Sequence, residues 1–179
     1  MHQPHPEDQT LERKKSLADR DGGLGALCGM VNSGVGRGRV EFGVMPDGTP
    51  AGIDGDLDTA QQSLTQAILQ HFDPHLTHEI HIEKRADKAV LVVTASRPRA
   101  ISFHEYRHRA YIREGSTTRV LDRDEKLRIE RERNRDYHPG PWRCDRCGSF
   151  VGLLVQLELT AHGPKKTYTC ECGGEFWPA

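Results

Sequence analysis

Apolar residues along the first two thirds of the chain recur at two different spacings, and together these spacings predict an α/β domain. The helical spacing occurs at Leu24, Leu27, Cys28 and Val31, and again at Leu64, Ala67, Ile68 and Phe72. The alternation typical of strands occurs around residues 40–44, 78–83, 88–94, 100–104 and 109–113. RADK at 85–88 joins the second and third of these strands as a predicted hairpin. Asp58 and Gln61 resemble a capping box at the start of the second of these helices. Asp122 and Glu125 resemble another, which begins a further, highly charged helix.

The first predicted helix contains an internal conflict, because glycines lie within it and just before it. Each glycine inside a helix costs up to about 1 kcal/mol relative to alanine. The helix therefore needs a closely packed neighbour, and Gly29 and Ala26 would allow one to approach. The glycines at 34–38 precede a strand and lack a following G-K-[ST], so they do not have the form of a nucleotide-binding loop.

The amino-acid composition argues against some classes of function but does not indicate a particular one. The formal net charge is −1, so any surface for nucleic acid must be a local one. No apolar run approaches the ~18 residues of a membrane span, and the first ten residues contain no signal-peptide core. We therefore expect a cytoplasmic protein.

Cysteine usage predicts a metal-binding module near the C-terminus. Between two close cysteine pairs, FVGLLVQLELTA alternates and HGPKK turns the chain, which predicts a β-hairpin. Four thiolates in this layout are typical of a zinc ribbon with structural Zn²⁺, which a module of fewer than about 40 residues needs in order to fold. The predicted ligands are Cys144, Cys147, Cys170 and Cys172. Ligation by His162 and two redox-active pairs are the alternatives, whereas Cys28 is expected to be a small buried thiol.

Four short motifs in the first part of the chain resemble those of one family. They are Glu12-Arg13-Lys14-Lys15-Ser16, the segment GMVNS at 29–33, GVMPDG at 43–48 and YIREGSTT at 111–118. In order and spacing they resemble E-F-K-x-S, A-x-x-N-T-x-G-G, G-V-D-x-x-G and Y-x-R-x-G-S-x-T of the Schlafen-type, AlbA-related domain. The resemblance extends over about residues 7–128 and implies an α/β fold with a mixed sheet and helices, and a nucleic acid as partner.

This resemblance suggests a division of the chain into four parts. We expect a flexible N-terminus at 1–6, a Schlafen AlbA-like domain at 7–121, a charged helical linker at 122–140 and the zinc ribbon at 141–179.

Some members of the family are metal-dependent endoribonucleases that cut structured RNA such as tRNA, and the resemblance implies where their acidic residues would lie. Glu7 and Glu12 match two carboxylates, and Lys14 occupies the family's lysine position. Met45 stands where the third carboxylate would be, with Asp47 and Glu41 as the nearest candidates. Such carboxylates suit Mg²⁺ or Mn²⁺, which would polarise a phosphoryl oxygen. Glu7 and Glu12 can converge only if the chain bends between them.

Residues 97–119 are rich in arginine, with aromatic rings between, a pattern typical of RNA-backbone binding. The candidate nucleic-acid-binding residues are Arg97, Arg99, Tyr106, Arg107, Arg109, Tyr111, Arg113 and Arg119. Arg113 has a second possible role, which is to brace the turn that follows it.

Three hypotheses follow for the function. The first is a metal-dependent endoribonuclease acting on tRNA or other structured RNA. The second is a non-catalytic DNA- or RNA-binding regulatory module, and the third is an assembly protein whose ribbon binds another protein. Because known Schlafen nucleases pair two lobes, we also expect a homodimer or a partner lobe.

Overall fold

The computed structural model describes residues 8–98, 101–133, 142–144, 153–160, 163–169 and 176–178, and beyond residue 133 only the course of the strands. The chain divides into two compact units, Met1–Glu130 and Arg131–Ala179. The first unit has the mixed α/β architecture expected from the sequence, with two four-stranded sheets.

The first sheet has the strand order β1-β2-β5-β4. Strand β1 runs parallel to β2, and the remaining neighbours are antiparallel. A tight turn at Ala86 and Asp87, both with positive φ, joins β4 to β5, which confirms the predicted hairpin. The strands are β1 (Leu11–Lys14), β2 (Arg37–Phe42), β4 (Thr77–Arg85) and β5 (Lys88–Ser96).

The second sheet consists of shorter strands in the order β3-β6-β7-β8, all antiparallel. The strand predicted at 100–104 is wrong where the structure describes it, because residues 101–104 form no strand and the next one begins at Glu105. The polar strand at 117–120 was not predicted. The strands are β3 (Phe72–Asp73), β6 (Glu105–Tyr106), β7 (Arg109–Glu114) and β8 (Thr117–Val120).

Helix α1 (Arg20–Asn32) contacts both sheets, which explains how a glycine-rich segment remains helical. A Cβ atom at Gly23 would lie 2.7 Å from the Phe42 ring of the first sheet. A Cβ atom at Gly29 would lie 3.1 Å from the backbone of Ile112 in the second sheet. The close neighbour predicted from the glycines is therefore present on two sides of the helix.

Helix α2 (Leu57–His71) buries Leu64, Ala67 and Ile68, as the apolar spacing predicts. Its N-cap is Asp56, which accepts a hydrogen bond from the Thr59 backbone, and not the predicted Asp58. Asp56 lies one residue before the helix begins, whereas Asp58 is already inside it.

Asn32, at the end of α1, joins this helix to the segment that forms β6 and β7. Its amide nitrogen donates to the carbonyl oxygens of His104 at 2.8 Å and Tyr111 at 2.9 Å, and its oxygen accepts from the His104 backbone at 2.8 Å. Asn32 is fully buried, and so is Cys28 one turn earlier, as predicted for this thiol. Burial raises the pKa of Cys28 to about 12.

Helix α3 (Arg123–Arg133) follows the second sheet and buries none of its residues. The predicted capping box is confirmed, because the Glu125 backbone donates to Asp122 and the Asp122 backbone donates to Glu125. In the second unit β10 (Leu153–Thr160) and β11 (Gly163–Thr169) pair as an antiparallel hairpin, and β9 (Trp142–Cys144) pairs with β12 (Phe176–Pro178).

Candidate nucleic-acid interface

Glu12 lies in β1, and positive side chains already contact both of its carboxylate oxygens. Oε1 lies 3.1 Å from Nζ of Lys14, and Oε2 lies 2.9 Å from Nη1 of Arg113. Lys14 also pairs with Asp19 at 2.6 Å. Burial acts to lower the pKa of Lys14, but its hydrogen bonds to Asp19 and Glu12 outweigh burial and raise this pKa. Glu12 therefore forms an ion-pair cluster with Lys14 and Arg113, in which each of its carboxylate oxygens already has a positively charged partner.

Arg113 is 1% exposed, and its guanidinium is used inside the domain. It donates to the backbone oxygens of Asp8 and Leu11 and to the Thr118 hydroxyl. The side chain thus fastens the first strand to the β7–β8 hairpin. Such a position contradicts a direct contact with RNA and agrees with the bracing role that the sequence also allowed.

Glu41 lies on the other face of the sheet from Glu12. In the parallel register Glu12 is level with Val40, and Arg13 is level with Glu41, so successive residues face opposite sides. Glu41 is 4% exposed, and arginines surround it, with Arg85 at 2.7 Å and Arg39 at 2.9 Å. Burial opposes ionisation, but the hydrogen bonds from Arg85 and Arg39 prevail and lower the pKa of Glu41.

Asp47 lies in the turn after β2, and its side chain is exposed. It accepts a hydrogen bond from the Thr49 backbone at 2.8 Å, and this bond is the main cause of its lowered pKa. Arg13, on the Glu41 side of the sheet, donates to the Pro46 carbonyl in the same turn. Arg13 therefore contacts the turn that contains Asp47 from the face of the sheet opposite to Glu12.

Of the carboxylates predicted to act with Glu7, Glu12 and Glu41 lie on opposite faces of the first sheet and so do not meet at one ion. Within residues 8–98 and 101–133, no group of three or more His, Cys, Asp or Glu side chains is arranged to hold a metal ion. Glu7 lies outside the described residues. As placed, Glu12 does not fit a divalent cation, because Lys14 and Arg113 already neutralise it.

A network of charged side chains on the same face as Glu41 was not predicted. Glu83 pairs with Arg39 at 2.7 Å and with Arg85, and His81 lies 3.0 Å from it. Burial acts to raise the pKa of Glu83, but hydrogen bonds from Arg39 and Arg85 hold this pKa at about 2. The charged residues at alternate positions of β2 and β4 are the signal that could have revealed this network.

The aromatic and basic residues of 97–119 occupy different environments. Tyr106 is 1% exposed and donates its hydroxyl hydrogen to Asp21, so it offers no free ring face for a base. Tyr111 is half-buried and packs against the core. Arg97 donates to the carbonyls of Val31 and Ile101. Arg119 pairs with Glu125 at 2.7 Å and Glu114 at 3.2 Å. Arg99 lies outside the described residues.

The turn between β6 and β7 remains as an exposed basic site. Arg107, His108 and Arg109 are all exposed there, and we call these three residues the hairpin tip. Arg107 and His108 have φ values of 50° and 61°, a conformation that costs residues other than glycine about 1 kcal/mol or more each. Arg107 pairs with Asp21 at 2.9 Å, whereas Arg109 makes no ion pair with the described residues.

The fold and these contacts define an α/β domain of two sheets around a buried helix, with a basic hairpin on its surface. The profile of the family described as Schlafen, AlbA_2 matches residues 7–122, which is more than half of the chain. The chain therefore belongs to the Schlafen AlbA_2 family.

Among solved structures, the chain resembles the crystal structure of the DIP2311 protein from Corynebacterium diphtheriae, with a TM-score of 0.51 and 17% sequence identity. The match covers 78% of this chain but only 30% of that one, so the chain spans less than a third of that protein. At this identity the similarity concerns the fold alone. No curated protein matches the chain. Within the described residues no helix is long and apolar enough to cross a membrane.

Proposed function

We propose that this domain binds the sugar-phosphate backbone of RNA, or of another nucleic acid, through the hairpin tip. The exposed cluster of Arg107, His108 and Arg109 carries the proposal, because Arg109 has no carboxylate partner within the described residues. A guanidinium that is not already paired can form charge-assisted hydrogen bonds to a phosphate. The other exposed arginine of the segment, Arg119, would first have to leave two carboxylates.

Binding of labelled tRNA by the full chain at several salt concentrations tests this proposal. The Arg109→Ser change is expected to weaken binding several-fold. It should also reduce the slope of log K against log salt concentration by about one, because one counterion fewer is released on binding. Arg37→Ser is the matched control, because Arg37 is also an exposed arginine without an ion pair in the described region and lies on the first sheet. Equal losses in the two variants, or none in either, would contradict a site at the hairpin tip. Single-stranded DNA of similar length distinguishes RNA from DNA.

The second candidate is the metal-dependent endoribonuclease that the family resemblance implies, acting on tRNA or another structured RNA. The observation in its favour is the pairing of Glu12 with Lys14 in the family's E-x-K motif. The ion pairs on Glu12, and Met45 in place of the acidic residue, favour binding without cleavage.

Incubation of labelled tRNA with the protein and Mn²⁺, with and without EDTA, separates the two candidates. Cleavage that requires Mn²⁺ and disappears in Glu12→Gln would establish the nuclease. Intact RNA together with salt-sensitive binding supports the binding function. The Met45→Asp variant adds a further test, because it supplies the missing carboxylate and would gain cleavage only if Glu12 can leave its partners.

The C-terminal cysteines remain a proposed site for structural zinc. Cys144 ends strand β9, while Cys147, Cys170 and Cys172 lie outside the described residues. Elemental analysis of freshly purified, reduced protein should find close to one equivalent of zinc per chain. Less than about half an equivalent would count against the ribbon. A homodimer, or a complex with a partner lobe, likewise remains a prediction from the resemblance.

A further inference from the structure

The outer edge of the first sheet has backbone groups that are open to pairing with another strand. Strand β4 pairs with β5 over its nine residues without a break in register, and no other described strand pairs with its second edge. Edge strands usually avoid association by being short, by a bulge, by a proline or by charged side chains. Strand β4 is long, regular and free of proline, and of these devices it has only charged side chains, both acidic and basic.

The side chains along this edge include two that the domain itself leaves unused. Ile82 is 41% exposed, although it lies in the middle of a regular strand. Glu79 is exposed and makes no ion pair with the described residues, whereas Glu83 and Arg85 further along are paired. Ile82 and Glu79 lie on opposite faces of the strand, so each face of this edge has one side chain that a further strand would cover or pair.

We propose that β4 pairs antiparallel with β4 of a second copy of this chain, in a register centred on Ile82. In this register residues at equal distances before and after Ile82 face each other across the twofold axis. The two Ile82 side chains then meet, Glu79 faces Arg85 of the second copy, and His81 faces Glu83 of the second copy. Opposite charges at facing positions stabilise an antiparallel pair.

Charge and strand length select this register over its neighbours. A register centred on His81 would place Glu79 opposite Glu83 of the second copy, and facing like charges destabilise the pair. A register centred on Ile80 would place Arg85 opposite residue 75, which lies outside the strand. Registers that differ from these by a single residue are excluded. In such a register, side chains on the core-facing side of one strand would lie opposite side chains on the outward-facing side of the other.

Cysteine cross-linking of the full-length protein tests the interface directly. Facing residues of an antiparallel pair lie about 4.5–5.5 Å apart at Cα, within the range that a disulfide bridges. With oxidised glutathione, Ile82→Cys should give a covalent dimer on a non-reducing gel, beyond the level of the unmodified protein. Lys84→Cys is the matched control, because its exposed thiol would face Ile80 of the second copy and lie far from the equivalent thiol of that copy.

Sedimentation of the wild-type and variant proteins provides an independent measurement. The wild-type chain should sediment as a dimer at ~10 µM, and Glu79→Lys should weaken the dimer about tenfold, because it makes two facing pairs repulsive. A monomer at ~100 µM, or cross-linking of Ile82→Cys no stronger than that of Lys84→Cys, would overturn the proposal. The proposal does not depend on nucleic-acid binding, which Arg109→Ser tests separately.

Discussion

Removal of the Asn32 side chain should destabilise the domain more than its small size suggests. In Asn32→Ala the His104 N–H and the Tyr111 carbonyl lose their 2.8 Å and 2.9 Å hydrogen bonds to the amide. The His104 carbonyl retains only the weak thiol donor of Cys28 at 3.3 Å. All of these groups lie around a fully buried residue, so water does not readily replace the amide.

The size of the effect follows from the number of groups left without a partner. A buried polar group that loses its partner costs about 1–3 kcal/mol. Counting the His104 N–H and the Tyr111 carbonyl in full gives a loss of about 2–6 kcal/mol in the free energy of unfolding. A loss near the middle of this range would lower the melting temperature by about 12 °C for a chain of this length.

Urea unfolding followed by circular dichroism at 222 nm measures this change. Gln66→Ala is the matched control, because Gln66 is an exposed amide in α2 and its removal should change the free energy of unfolding by less than about 0.5 kcal/mol. Asn32→Asp separates the role of the amide nitrogen as donor from that of the amide oxygen as acceptor. The carboxylate can still accept from the His104 N–H, but it presents an oxygen to the carbonyls of His104 and Tyr111. A loss below about 1 kcal/mol in both Asn32 variants would refute the reasoning.

Three further predictions concern packing, pH and thiol chemistry. Gly29→Val should destabilise the domain by about 2 kcal/mol or more, because its Cβ would press on the β7 backbone, whereas Gly34→Val meets no atom within 4 Å and should unfold at nearly the wild-type urea concentration. The pKa of Glu83 is about 2 in the folded domain and about 4.3 in unfolded chains, so its stabilising contribution is complete above pH ~5 and disappears as the pH falls towards 2. Glu83→Gln should therefore flatten the decline in urea midpoint between these pH values, and an unchanged decline would exclude this residue as the cause. Because burial raises the pKa of Cys28 to about 12, Cys28→Ser should leave the number of maleimide-reactive thiols unchanged in native protein and lower it by one in urea.

The elements of the fold follow from the sequence wherever apolar residues recur at a clear period. Helix α2, the β4–β5 hairpin and the capping box before α3 are predictable for this reason. Strands β1 and β8 are not, because LERK and TTRV contain almost no apolar residues. Their place in the sheets depends on backbone pairing and on buried charge, which do not produce a hydrophobic period.

The candidate site was predictable to a smaller extent than the fold. The spacing of charged residues shows which side chains share a strand face, but it does not show which face packs on α1. The parallel register of β1 and β2 decides that Glu12 and Glu41 lie on opposite sides. Similarly, the sequence cannot distinguish a buried arginine such as Arg113 from an exposed one such as Arg109, because the difference arises from long-range packing.

The motifs that identify the family here are mainly contacts between distant parts of the fold. Glu12 of the first motif pairs with Arg113 of the last, and Asn32 of the second hydrogen-bonds to Tyr111 of the last. The backbone N–H of Gly43, in the third motif, donates to the Lys14 carbonyl in the first. Substitutions in the motifs should therefore reduce stability whether or not the protein cuts RNA. A change at exposed Arg109, which leaves these contacts intact, reports on nucleic-acid binding separately from folding.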